Sequence, residues 1–80
     1  MNTNWNKYII TDPEIMTGKP VVKGTRLSIE FILGLFAQGW SESQILANYP
    51  NLTHKHILAV FAYATSCMRD EFLYAIPRNN

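Results

Sequence analysis

Cys67 is the only cysteine in a chain of 80 residues, and that count removes most of the devices that keep so small a protein folded. No disulfide can form within the chain and no cysteine-based zinc set can be assembled, although small scaffolds commonly rely on one or the other. What is left is packing of apolar side chains, alone or with another chain. The supply is ample: 48% of the residues are hydrophobic and 16% charged, the opposite of a disordered composition. A single domain is expected over residues 1–80, with more apolar surface than one such core encloses. The surplus points to another chain, most simply in a homodimer.

No apolar run approaches the ~20 residues of a membrane span. Gln38, Ser41, Glu42 and Gln44 interrupt the stretch that follows Ile29 to Ala37. Met1 to Lys7 is polar, lacks the apolar centre of a signal peptide, and reads as a flexible lead-in. A cytoplasmic protein with no membrane partner is expected. The net charge of +1 is neutral on nucleic acid, but its distribution is not: residues 18–27 hold Lys19, Lys23 and Arg26 with no acid among them.

Local patterns divide the chain into a short β region, residues 8–27, and a helical one, residues 28–76. Tyr8 to Ile10 is β-prone and ends at Thr11-Asp12-Pro13, where Asp12 can close an Asx turn. Val21-Val22 and Thr25 to Leu27 flank Lys23-Gly24, which predicts a small hairpin turning on Gly24. Ser28 then caps a helix over about 29–38, with Ile29, Ile32, Leu33 and Phe36 at helical spacing and Gly39 as its C-cap. Ser41 and Gln44 form a capping box for a short second helix that stops near Tyr49-Pro50. Thr53 caps the third and longest helix, whose apolar stripe is Ile57, Val60, Phe61, Ala64 and Met68. It either continues through Glu71 to Ala75 or breaks near Ser66-Cys67 into a fourth. The expected fold is mainly α: a three- to four-helix helix-turn-helix domain with a short N-terminal strand and a β-hairpin.

Helices two and three, joined by a short connection, match the arrangement in which the later helix enters the DNA major groove. The candidate contacts are Thr53, His54, Lys55 and His56 in the first turn of helix three, with Lys19, Lys23 and Arg26 on the hairpin as a wing that grips phosphate. The alternatives are a solvated first turn and edge-strand charges that serve solubility. His54 and His56 are two apart on a helix and diverge, so no metal site is expected. Gly24 belongs to no phosphate loop, because the Walker pattern is absent. Neither a catalytic residue nor a cofactor is expected: Cys67 lies in an apolar helical repeat, and the histidines have no carboxylate nearby in sequence. Leu58, Ala59, Ala62 and Tyr63 fall outside the apolar stripe, so helix three is either central to the core or meets a partner. Trp40, Tyr49 and Tyr74 are aromatic candidates for the same interface.

The runs Ile10-Thr11-Asp12-Pro13-Glu14-Ile15-Met16, Gly18-Lys19-Pro20-Val21-Val22-Lys23-Gly24-Thr25-Arg26-Leu27-Ser28-Ile29-Glu30, Ala37-Gln38-Gly39-Trp40-Ser41 and Ile45-Leu46-Ala47-Asn48-Tyr49-Pro50-Asn51-Leu52-Thr53 carry a family resemblance over about residues 9–65. The chain resembles the small prokaryotic proteins of domain of unknown function family 433, regarded as VapB-like antitoxins of homeodomain-like or winged helix-turn-helix fold. The resemblance implies a type II antitoxin that binds its own operator DNA and neutralises a toxin, commonly a PIN-like ribonuclease. The partner-binding candidates are then Leu58, Ala62, Tyr63, Arg69 and Arg78, the arginines competing with divalent metal among the toxin's carboxylates. A plain regulator, or a dimerisation module without toxin, is the alternative.

Overall fold

The chain beyond residue 27 is divided into helices by three hydroxyl caps, each in extended backbone. In the computed structural model, which describes residues 4–72, the Phe31 amide donates to Ser28 Oγ at 3.0 Å and opens α1 (Ile29–Ala37). Ser41 and Gln44 exchange hydrogen bonds of 3.1 and 2.8 Å in the expected capping box at the start of α2 (Glu42–Asn48). Thr53 opens α3 (His54–Cys67). The end of α1 is a Schellman turn: Gly39, at φ +96°, donates to the Phe36 carbonyl, and Trp40 donates to that of Leu35.

Two strands of two residues precede the helices. β1 (Ile9–Ile10) pairs antiparallel with β2 (Val21–Val22), Ile9 opposite Val22 and Ile10 opposite Val21. The expected turn on Gly24 is present at φ +84°: the Val22 amide donates to the Leu27 carbonyl at 2.9 Å, and Val21 bridges Ser28 antiparallel. The return is short, since Thr25 to Leu27 form no strand and β2 has its ladder partner in β1. Thr25 Oγ1 accepts from Leu27 N–H at 3.0 Å, and Ser28 serves as the cap of α1 directly after its single bridge. Between the strands, the Glu14 amide donates to Asp12 Oδ1 at 2.9 Å, the expected Asx turn. A tight turn over Met16–Gly18 follows, with all three residues at positive φ.

The core joins β1, β2 and all three helices through Ile9, Val22, Ile29, Ile32, Leu35, Ile45, Leu52, Ile57, Ala59 and Val60. The stripe assigned to α3 from sequence is shifted: Ala59 is fully buried, whereas Phe61 is 42% and Met68 56% exposed. α3 packs at once on α1, β1 and the turn Trp5–Lys7, which rotates its buried face toward Ala59 and Tyr63. That turn corrects the flexible lead-in over Trp5–Lys7, because Trp5 meets Tyr63 edge-on at 4.9 Å; the lead-in at residues 1–3 lies outside the described residues. α3 does not break at Ser66-Cys67; it passes into a π-helical turn, Met68–Phe72, and its expected continuation to residue 76 lies outside the described residues. Tyr74 and Arg78 lie there too. Among the described residues, no helix is long and apolar enough to cross a membrane.

Candidate nucleic-acid interface

Tyr8 holds two distant parts of the chain together. Its carbonyl accepts the Lys23 amide at 2.7 Å, and its ring lies edge-on to His56 with centroids 5.4 Å apart. The turn that carries Lys23 and Arg26 is thereby tied to the first turn of α3, which carries Lys55. Lys7, the residue before Tyr8 and the last of its 3-10 turn, joins the same end of the molecule. Sequence reading missed it, because its role depends on Trp5 and Tyr8 packing against α3. Lys7, Lys23, Arg26 and Lys55 are all exposed, and among the described residues none takes part in an ion pair.

Lys19 belongs elsewhere. Four residues from Lys23, it stands about 13 Å away along extended backbone, at the opposite end of the short ladder. Its Nζ lies 3.1 Å from Glu30 Oε1 on the exposed surface. There it borders an apolar groove of about 560 Å³ between the start of α1 and the end of α3, floored by Ile29, Leu33, Tyr63 and Cys67. The basic cluster read from residues 18–27 is thus split, with Lys19 paired to Glu30 and Lys23 and Arg26 on the turn tied through Tyr8 to α3.

The two histidines of the first turn have different duties. His54 Nδ1 lies 2.7 Å from Glu42 Oε2, so the first residue of α3 is tied to the first residue of α2. This carboxylate is twelve residues away and could not be seen by a local search. His56 stands at the third helical position, where glutamate or glutamine completes a capping box. Its Nδ1 accepts the Thr53 amide at 2.9 Å, which places the proton of the neutral ring on Nε2. His54 and His56 therefore face separate partners, and Thr53 is occupied as a cap. Lys55 is the first-turn cation with no such engagement among the described residues.

The residues proposed for a protein partner are dispersed. Leu58 is 41% exposed and outside the core cluster, and Ala62 is half-buried beside it. Tyr63 is packed against Trp5 and floors the groove. Arg69 is exposed in the π-turn.

Residues 9–64 match the family described as Protein of unknown function (DUF433). The chain belongs to this family. The DUF433 segment runs from β1 almost to the end of α3, and leaves Trp5, Lys7 and the π-turn outside it. A crystal structure of a DUF433 member protein from Anabaena variabilis is similar, with a TM-score of 0.72 and 26% identity. The likeness covers 78% of this chain and 61% of that one, so the chain spans less than two thirds of the length of the Anabaena protein. A search of curated proteins gave no match. The expected fold is the observed one: a mainly helical domain of three helices with a short two-stranded N-terminal sheet.

Proposed function

We propose that this DUF433 chain is a binding module for duplex DNA, with α3 entering the major groove and the Lys23 turn gripping phosphate beside it. The observation that carries the reading is the double engagement of Tyr8, by the Lys23 amide and by the His56 ring, which ties the turn of Lys23 and Arg26, and the segment that carries Lys7, to the first turn of α3, where Lys55 stands. Exposed cations beside a helix N-terminus suit the phosphate backbone, which supplies most of the affinity of such modules. Glu42 is the acid at this end, and His54 already engages it.

The test is affinity for the duplex upstream of its own reading frame, against an unrelated duplex of equal length, at 50 and 200 mM salt. Four phosphate contacts per protomer give a log–log salt slope near −3.6, or a loss of about 100-fold between the two conditions. Equal affinity at both salts would remove the phosphate contacts and the reading with them.

The antitoxin role adds a PIN-like ribonuclease as a second ligand. Its support is the family resemblance together with Arg69, the one of the two tail arginines that lies among the described residues. Inhibition of such a nuclease that survives Arg69→Ala together with Arg78→Ala would exclude competition with the metal. The apolar groove between α1 and α3 favours a further reading, in which a second copy of the chain covers it. Sedimentation decides this point, since a monomer at micromolar concentration would sink it.

A further inference from the structure

Beyond its first turn, α3 offers nothing with which to read bases through paired hydrogen bonds. From Ile57 to Met68 there is no arginine, lysine, asparagine, glutamine or acid. Thr65, the exposed hydroxyl of this stretch, already donates to the Phe61 carbonyl at 2.8 Å. What the helix presents in line with Lys55 is apolar: Leu58, 41% exposed and outside the core cluster, and Ala62 one turn further. The charge of Lys55, which lies on the same face one turn before Leu58, suits a polyanion as the surface that meets Leu58 and Ala62.

Resting on the DNA-binding reading above, we infer that Leu58 and Ala62 read thymine, by contact with its 5-methyl group in the major groove. Thymine is the one base with an apolar group on that edge. Lys55, three residues before Leu58, is placed for phosphate or for the acceptor edge of an adjacent guanine. The sites selected by this chain would then be thymine-containing, with discrimination between thymine and uracil as their mark.

The experiment selects duplexes from a random-sequence pool with the full chain. The enriched duplex is then rebuilt with deoxyuridine in place of thymidine, which removes the methyl groups and leaves every hydrogen-bonding edge intact. Wild-type protein should bind the uracil duplex about fourfold more weakly for each methyl group contacted. Leu58→Ala should discriminate less, by about fourfold for each methyl contact that the leucine alone makes, with the salt dependence unchanged. Equal, salt-sensitive binding of both duplexes by the wild type overturns thymine reading and leaves the DNA reading standing. Failure to enrich any duplex overturns both. Loss of a dimer in Leu58→Ala, with discrimination against uracil retained, assigns Leu58 to a second copy and overturns the inference.

Discussion

The ring of Tyr8 meets the ring of His56 edge-on, at 5.4 Å and 81°, across the junction between the N-terminal turn and α3. This contact holds the first turn of the helix against the segment whose carbonyl receives Lys23. An edge-to-face pair contributes about 1 kcal/mol beyond its buried area. Tyr8→Ala should lower stability by about 1–2 kcal/mol in urea denaturation, and Tyr8→Phe, which keeps the ring, should not. Equal midpoints for the two variants would mean that the pair is idle.

His56 completes the capping box of α3 in the place usually held by glutamate or glutamine. His56→Gln should preserve the bond from the Thr53 amide and lose only the ring contact with Tyr8, about 1 kcal/mol. His56→Ala also orphans that amide and should cost about 1 kcal/mol more than His56→Gln. The comparison isolates the cap, because the ring contact with Tyr8 is lost in both variants.

Lys23 and Lys19 are four residues apart, yet their substitutions should differ. Lys23→Ala should weaken binding to all duplexes and reduce the magnitude of the salt slope by about 0.9. Lys19→Ala removes an exposed pair with Glu30, worth ~0–1 kcal/mol of stability, and should leave the slope unchanged. A fall in slope for Lys19→Ala would place the interface at the wrong end of the ladder.

Trp5 packs on Tyr63 at 4.9 Å from outside the DUF433 segment. Its replacement by alanine should cost about 1–2 kcal/mol through lost area and the lost aromatic pair. Because Trp5 begins the turn that ends in Lys7, DNA affinity should fall as well. Thermal unfolding and a binding titration on one preparation would test both effects.

Met16, Thr17 and Gly18 take φ values of +51°, +54° and +86° in succession. A β-branched residue in the left-handed region is costly, by about 1–2 kcal/mol. Glycine there removes that strain at a cost of about 0.5–1 kcal/mol in chain entropy. Thr17→Gly should therefore raise stability by about 0.5–1 kcal/mol, and a lower melting temperature would show that the Thr17 hydroxyl bond to Met16 outweighs the strain.

The helices were legible because their signals are local. Ser28, Ser41 and Thr53 bond amides three residues away, and Gly39 supplies the positive φ that ends α1. The turn on Gly24 was legible, but the pairing of β2 with β1 was not, because a strand of two residues carries no signal for a partner eleven or more positions away. Ala59 and Phe61 were misassigned because a helix touched by α1, α2, β1 and the Trp5–Lys7 turn has no single buried stripe for periodicity to find.

The amino-acid order alone determined where each helix begins and where α1 and α2 end, that packing rather than disulfides must hold the domain, and which family it joins. Each of these depends on residue identity or on partners within about four positions. The tertiary structure decided which cations share a surface. It moved Lys19 to Glu30 and the groove, tied the Lys23 turn through Tyr8 to the first turn of α3, and gave His54 its carboxylate in Glu42. Those outcomes follow from the register of β1 on β2 and from the packing of Trp5 and Tyr8 on α3, where residues tens of positions apart come into contact.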